Sequence, residues 1–130
     1  MTLKKVAILI PVKNGKFLIL KRADWTRKGG FWNFPGGSVD EGETPYEAGV
    51  RELEEEADLY ADEEQLKYFG KMSMENKLLH FYGTKTFDGE VTINKESSDF
   101  VWITIPELKN YKFLPLEEWL EKALEEYIGA

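Results

Sequence analysis

Residues 37–59 constrain the fold of this chain more than any other part of the sequence. Thr44 suits the N-cap of a helix, Pro45 suits its first position, and Glu47 completes a capping box with Thr44. Apolar residues then recur at helical spacing: Ala48, Val50, Leu53 and Ala57. The segment therefore predicts an amphipathic helix that starts at Thr44, ends near Asp58 and follows a glycine-rich turn at residues 35–37.

The polar side of this predicted helix carries three carboxylates on one face, because Glu52, Glu55 and Glu56 are spaced three and four residues apart. Like charges so placed repel one another, and a hard divalent cation such as Mg²⁺ would offset the repulsion. Arg51 is adjacent and Glu43 lies just before the helix, so an Arg–carboxylate pair could clamp the loop to the helix. The alternative is a glutamate-rich helix face that is simply solvated.

The spacing of these residues resembles the Nudix box, G-x5-E-x7-R-E-U-x-E-E-x-G-U, where U is an aliphatic residue. Eight of its nine specified positions match: Gly37, Glu43, Arg51, Glu52, Leu53, Glu55, Glu56 and Leu59. The one departure is Asp58, which stands where the family has glycine. Asp tolerates the left-handed backbone conformation that such a glycine supplies, so we expect a slightly altered helix end and no loss of chemistry.

The resemblance implies a Nudix α/β/α sandwich, an α/β fold with a mixed sheet between helices, and a pyrophosphatase activity that depends on Mg²⁺ or Mn²⁺. It implies that Glu52, Glu55 and Glu56 bind metal together with the carbonyl of Gly36. It also implies that Arg51 serves the active site by bracing the loop that contains Glu43.

A further glutamate often precedes a tryptophan-bearing strand in MutT-like members, where it acts as a metal ligand or base. Glu96 stands before Trp102 at a comparable interval, with Asp99 as a substitute. Either Glu55 or Glu96 is therefore the expected general base. The alternative for Glu96 is an exposed loop carboxylate without a catalytic role.

Four residues outside the box are candidates for substrate binding: Arg22, Trp25, Arg27 and Tyr82. The two arginines, with neighbouring Lys28, would contact terminal phosphates, and the two aromatic rings would stack on a base. Solvation of the arginines and core packing of Tyr82 are the competing interpretations. We expect a structural role for His80, the one histidine of the chain.

The expected substrate is a nucleoside diphosphate linked to another moiety, above all a nucleoside triphosphate. ADP-ribose, a nucleotide sugar or coenzyme A is the alternative within the same fold. A nucleotide-binding module without activity is a further alternative, but such a module would be expected to lose the box carboxylates, and all three are present.

The 130 residues have the size of one domain, predicted over residues 1–130. A net charge of −7 argues against a nucleic-acid polymer as partner, and no apolar run is long enough for a membrane span. The chain has no cysteine, so we expect a cytoplasmic protein. We expect it to be a monomer or a homodimer. Apolar runs and turn signals predict strands at residues 6–12, 17–20, 31–34, 66–74, 78–87 and 100–103, and a second helix at 116–128.

Overall fold

The structure is a computed structural model and describes residues 2–130. Its strands are β1 (Lys4–Lys13), β2 (Lys16–Arg22), β3 (Trp32–Asn33), β4 (Gly36–Ser38), β5 (Tyr60–Ala61), β6 (Lys67–Met74), β7 (Lys77–Thr84), β8 (Phe87–Asp88) and β9 (Ser97–Ile103). Its α-helices are α1 (Pro45–Ala57) and α2 (Glu118–Gly129), and 3₁₀ turns lie at Glu63–Gln65 and Ile105–Asn110.

Strand β1 is the centre of a seven-stranded mixed sheet. It pairs in parallel with β7 and antiparallel with β2 and β4, while β6 extends the sheet beyond β7 and β9 extends it beyond β2. The β1–β2 hairpin turns at Asn14 and Gly15, which both have positive φ as such a tight turn requires. The sheet brings β4, and the glycines at its start, directly against the middle of β1.

Both faces of the sheet are covered, which explains the continuous apolar character of β1. Ala7 and Leu9 point to a core beneath α1 that also contains Leu53, whereas Ile10 points to a core on the α2 side that contains Leu124. The predicted mixed sheet flanked by helices is confirmed. No helix in the described part of the chain is long and apolar enough to cross a membrane.

Helix α1 begins and ends as its sequence predicts. The Thr44 hydroxyl accepts a hydrogen bond from the Glu47 N–H, and the Glu47 carboxylate accepts one from the Thr44 N–H. At the other end, Asp58 is the C-cap in the left-handed conformation, with φ 57° and ψ 34°. Its carboxylate accepts a 2.6 Å hydrogen bond from the Tyr60 hydroxyl, which favours the conformation that the family's glycine would adopt freely.

Some predicted boundaries are wrong. The strand predicted to reach residue 87 ends at Thr84, because the Thr84 hydroxyl and backbone of Thr86 form a local turn, and β8 then pairs separately with β5. The strand predicted as short and buried at 100–103 begins at Ser97, and Phe100 on it is 38% exposed. Helix α2 starts two residues later than predicted, which leaves Leu116 in the segment before it.

Candidate functional site

Arg51 is at the centre of the polar side of α1. Its Nε and Nη2 donate to the two carboxylate oxygens of Glu43 at 2.8 and 3.0 Å, and Nη2 also donates to the Ser38 carbonyl at 3.0 Å. Its Nη1 donates to Glu52 at 2.9 Å and lies 3.2 Å from Glu55. One guanidinium thus holds the loop after β4 to the helix, and these hydrogen bonds raise its pKa and lower that of Glu43.

Glu52 lies directly against the backbone of β4. A Cβ atom on Gly37 would be 2.6 Å from both carboxylate oxygens of Glu52, so any residue larger than glycine would displace that carboxylate. Burial raises the pKa of Glu52, while its contact with Arg51 acts in the opposite direction. The glycine of the box therefore makes room for the first of the three carboxylates.

Glu56 is the second carboxylate on this side of the helix, and it is half-buried. Its Oε1 accepts a 2.7 Å hydrogen bond from the N–H of Gly36. Burial raises the pKa of Glu56 to about 8, and the nearby charges of Glu52 and Glu96 act in the same direction. A carboxyl group in this environment is fully ionised at neutral pH only if a cation is close to it.

The predicted convergence of Glu52, Glu55 and Glu56 is incomplete in this arrangement. Across residues 2–130 no three acidic or histidine side chains are close enough to enclose a metal ion. The reason is visible in the hydrogen bonds, since Glu52 and Glu55 turn toward Arg51 whereas Glu56 turns toward Gly36. The donor set is nevertheless of oxygen atoms only, which is the set that Mg²⁺ prefers.

The loop before β9 brings Glu96 to the same place. Glu96 is exposed, and its charge is near enough to raise the pKa of Glu56. Asn94, which sequence reasoning missed, donates from Nδ2 to the Glu55 carbonyl at 3.0 Å and accepts from the Glu96 N–H at 2.9 Å. The only indication of this role in the sequence is that Asn94 is polar and stands two positions before Glu96.

A cleft of about 830 Å³ opens on the α2 side of the sheet and reaches the start of β4. Gly36 and Gly37 form part of its wall, and Arg22, Arg27 and Lys28 line the same cleft. Its apolar wall lies on the α2 side of the sheet and includes Ile8, Leu79, Phe81, Phe113, Leu116 and Leu120. The cleft thus joins an apolar groove to three basic side chains, and the two glycines in its wall are the ones that Glu52 and Glu56 contact from the α1 side.

The two aromatic candidates for substrate binding, Tyr82 and Trp25, do not line this cleft, and His80 lies apart from it as well. Tyr82 is 2% exposed and packs in the core beneath α1, on the face of the sheet away from the cleft, so its expected role in binding substrate is wrong. Trp25 is 67% exposed at the loop after β2, where its indole N–H donates to the Lys95 carbonyl at 3.1 Å. His80 is half-buried, with Nδ1 3.2 Å from the Tyr68 hydroxyl, a contact that fits the structural role expected for it.

Comparison with known proteins places this arrangement in a family. The NUDIX domain model matches residues 2–127, nearly the whole chain. The chain therefore belongs to the Nudix family of hydrolases, and the resemblance found in the sequence is confirmed.

Named relatives and solved structures support the same assignment. The chain is 34% identical over 99 residues to an RNA pyrophosphohydrolase of Helicobacter pylori, covering 72% of this chain and 64% of the relative. It is 26% identical over 118 residues to the CTP pyrophosphohydrolase of Escherichia coli, covering 90% of this chain and 87% of the relative. The solution structure of the Escherichia coli ORF135 protein superposes with a TM-score of 0.79 at 27% identity, covering 97% of this chain and 91% of that protein. The chain thus spans less than two thirds of the length of the RNA pyrophosphohydrolase.

Proposed function

We propose that this protein is a metal-dependent pyrophosphohydrolase that cleaves a nucleoside diphosphate linked to another moiety, with a nucleoside triphosphate as the principal substrate. One observation carries the proposal: the cleft of about 830 Å³ has Gly36 and Gly37 in its wall, and the carboxylates of Glu52 and Glu56 lie against those two glycines. A nucleotide in the apolar groove would therefore extend its phosphates toward the carboxylates.

The residues that would hold Mg²⁺, or Mn²⁺ in its place, are Glu52, Glu55, Glu56, Glu96 and the carbonyl of Gly36. When bound, such an ion would neutralise phosphate charge and lower the pKa of a coordinated water. The half-buried Glu56 supports this assignment, because burial and the charges of Glu52 and Glu96 raise its pKa and a bound cation would offset them. Glu52 and Glu55 reach the site once they turn from Arg51.

The reaction itself is the attack of water on a phosphorus atom of the pyrophosphate. A P–O bond forms, the bridging P–O bond breaks, and a phosphate-bearing group leaves. The proton of the attacking water passes to Glu55 or Glu96. Both are exposed to solvent and lie near the C-terminal end of α1. Arg51 and Glu43 keep the loop and helix together, while Arg22 and Arg27, which line the cleft, would contact the terminal phosphates.

A small nucleotide fits this surface better than a polymer does. The net charge of −7 repels a long polyanion. The basic residues Arg22, Arg27 and Lys28 line the cleft, where they could bind the few phosphates of a small nucleotide. The names of the relatives, CTP pyrophosphohydrolase and RNA pyrophosphohydrolase, supply CTP and RNA as two specific substrates to compare. ADP-ribose, nucleotide sugars and coenzyme A remain the alternative substrates of the same fold.

The deciding experiment is a substrate panel with Mg²⁺ and again with Mn²⁺, scored by chromatographic separation of the phosphate-bearing products from the intact substrate. The panel contains canonical and oxidised nucleoside triphosphates, ADP-ribose, nucleotide sugars, dinucleoside polyphosphates, coenzyme A and 5′-triphosphorylated RNA. We expect the highest kcat/KM on a nucleoside triphosphate. Activity on none of them with either metal would refute the proposed function.

A pair of variants tests the metal site within that panel. Glu55→Gln should nearly abolish turnover while the protein stays folded, because a carboxylate at the reacting centre is lost. Glu54→Gln is the matched control, since Glu54 is exposed on the same helix and has the same charge. Wild-type turnover by a folded Glu55→Gln protein would overturn the role of Glu55.

A further inference from the structure

The backbone of Glu96 is tied to the end of helix α1 by one side chain. Asn94 donates from Nδ2 to the Glu55 carbonyl at 3.0 Å, and its Oδ1 accepts from the Glu96 N–H at 2.9 Å. The Glu55 carbonyl belongs to the last turn of the helix, where carbonyl groups lack partners within the helix. One amide group therefore satisfies the helix end and fixes the start of the Glu96 loop at the same time.

A second set of contacts holds the same loop from the opposite side. The Ala23 N–H donates to the Glu96 carbonyl at 2.9 Å, and the Trp25 indole N–H donates to the Lys95 carbonyl at 3.1 Å. Trp25 is 67% exposed, so little of its ring is packed in the protein. Its hydrogen bond is thus the clearest structural contribution that this side chain makes.

We propose that Asn94 is a positioning residue that holds Glu96 beside Glu56, with the Trp25 indole N–H as the second anchor of the same loop. The inference rests on the proposed function, because the position of Glu96 matters to turnover only if this site performs the hydrolysis. It assigns Trp25 to the support of the loop and not to stacking on a base.

The chemistry of the contacts explains why an amide is needed at position 94. The Glu55 carbonyl requires a donor and the Glu96 N–H requires an acceptor, and asparagine supplies both within one short side chain. Aspartate keeps the acceptor but loses the donor, and it places a negative charge against a carbonyl and near three glutamates. Alanine loses both hydrogen bonds. The two substitutions therefore remove the tether in different ways.

A purely structural cap would behave differently from a positioning residue. Loss of a cap lowers stability and affects every property of the site together, whereas loss of positioning acts through Glu96 alone. A double-mutant cycle between Asn94 and Glu96 separates the two, because effects that act through one group are not additive. A variant of Trp25 distinguishes the hydrogen bond of the indole from the packing of its ring, since Trp25→Phe keeps an aromatic ring and removes the N–H donor.

The experiment measures kcat and KM on the best substrate of the panel for wild type and five variants. These are Asn94→Ala, Asn94→Asp, Glu96→Gln, the double variant Asn94→Ala/Glu96→Gln, and Trp25→Phe. We expect both Asn94 variants to lower kcat by about tenfold with KM changed by less than about twofold, as for loss of a residue that orients a ligand. The double variant should be no slower than Glu96→Gln, and Trp25→Phe should lower kcat and leave KM unchanged.

A measurement without substrate or metal accompanies the kinetics. Amide hydrogen exchange of Glu96 in the metal-free protein should accelerate by about tenfold in Asn94→Ala, because its N–H loses its acceptor. Asn110→Asp controls for added charge at an exposed asparagine, and it should change neither exchange nor kcat.

The outcomes distinguish this inference from the function on which it rests. An inactive wild type refutes the proposed hydrolase, and the positioning role with it. An active wild type whose Glu96→Gln variant is fully active, or whose Asn94 and Glu96 effects multiply, overturns the positioning role and leaves the function standing. A Trp25→Phe variant with wild-type kcat would overturn the role of the indole N–H as the second anchor of the loop.

Discussion

The N–H of Gly36 donates a 2.7 Å hydrogen bond to Oε1 of Glu56 and so connects the start of β4 to the end of α1. Burial at this position raises the pKa of Glu56 to about 8, although the hydrogen bond from Gly36 acts in the opposite direction. Glu56 must be ionised to bind a metal ion, but ionising a half-buried carboxyl group costs free energy when no cation is bound beside it. The charge that Glu56 needs for metal binding therefore lowers the stability of the metal-free protein.

Replacing Glu56 by glutamine tests this effect of the charge. Glu56→Gln keeps an oxygen that accepts from Gly36 but carries no charge, so we expect the metal-free protein to unfold at the same temperature or a higher one. Turnover with Mg²⁺ should fall by about 10²-fold, the size of loss seen when one charge-stabilising group is removed. Thermal unfolding with a chelator and initial rates measure the two effects, and Glu54→Gln is the control. Full turnover by Glu56→Gln would remove Glu56 from the metal site.

The close approach of Glu52 to the backbone gives a second prediction. The methyl group of Gly37→Ala would displace the Glu52 carboxylate, whose oxygens lie 2.6 Å from the position of the added Cβ. We expect turnover to fall by at least about tenfold. The free energy of unfolding should change by less than about 1 kcal/mol, because the atoms displaced are the end of a flexible side chain.

Rates and urea unfolding check this prediction of Gly37→Ala. Gly129→Ala is the matched control, since an added Cβ there meets no atom within 4 Å. A large loss of stability in Gly37→Ala, with turnover reduced only in proportion, would show that the glycine serves the fold and not the carboxylate.

Asp58 is the one departure from the box, and it yields a third prediction. Asp58→Gly should raise the free energy of unfolding, because the residue has φ 57° and its charge is at the unfavourable end of the helix dipole. Its hydrogen bond with Tyr60 offsets part of that gain. In a Tyr60→Phe background we therefore expect the full stabilisation, about 1 kcal/mol. Urea unfolding of the four proteins measures it, and equal or lower stability of Asp58→Gly in the Tyr60→Phe background would contradict it.

The sequence predicts the parts of this molecule that local chemistry determines. The capping box at Thr44 and the left-handed end at Asp58 depend on residues close in the chain, and both are confirmed. Tyr82 shows the opposite case, because the side of the sheet to which a strand residue points depends on which strands pair with it. Composition alone could not tell that the ring of Tyr82 lies beneath α1 and away from the cleft.

Long-range contacts within the site explain the other differences. The spacing of Glu52 and Glu55 predicts a shared helix face, but not that both carboxylates turn toward Arg51. Asn94 contacts the Glu55 carbonyl 39 residues away, and no periodicity in the sequence encodes such a bond. The identity of the carboxylates was therefore predictable, whereas the contacts that orient them required the three-dimensional structure.

His80 gives a prediction about pH that is independent of the active site. Burial, and then the charges of Lys71 and Lys5, lower its pKa below the ordinary value of 6.5. The unfolded chain therefore binds a proton at His80 more readily than the folded protein does. This contribution to stability is fully present above 6.5, is lost as pH falls from 6.5 through the lowered folded pKa, and is constant below it.

The variant His80→Gln removes this titration and keeps a polar side chain that can accept from the Tyr68 hydroxyl. We expect wild type to lose stability relative to His80→Gln between about pH 7.5 and about pH 5, because only wild type has a half-buried imidazole to protonate. Urea unfolding of both proteins at the two pH values measures the difference, in which the titration of shared carboxylates cancels. A difference that does not change with pH would show that His80 titrates alike in the folded and unfolded states.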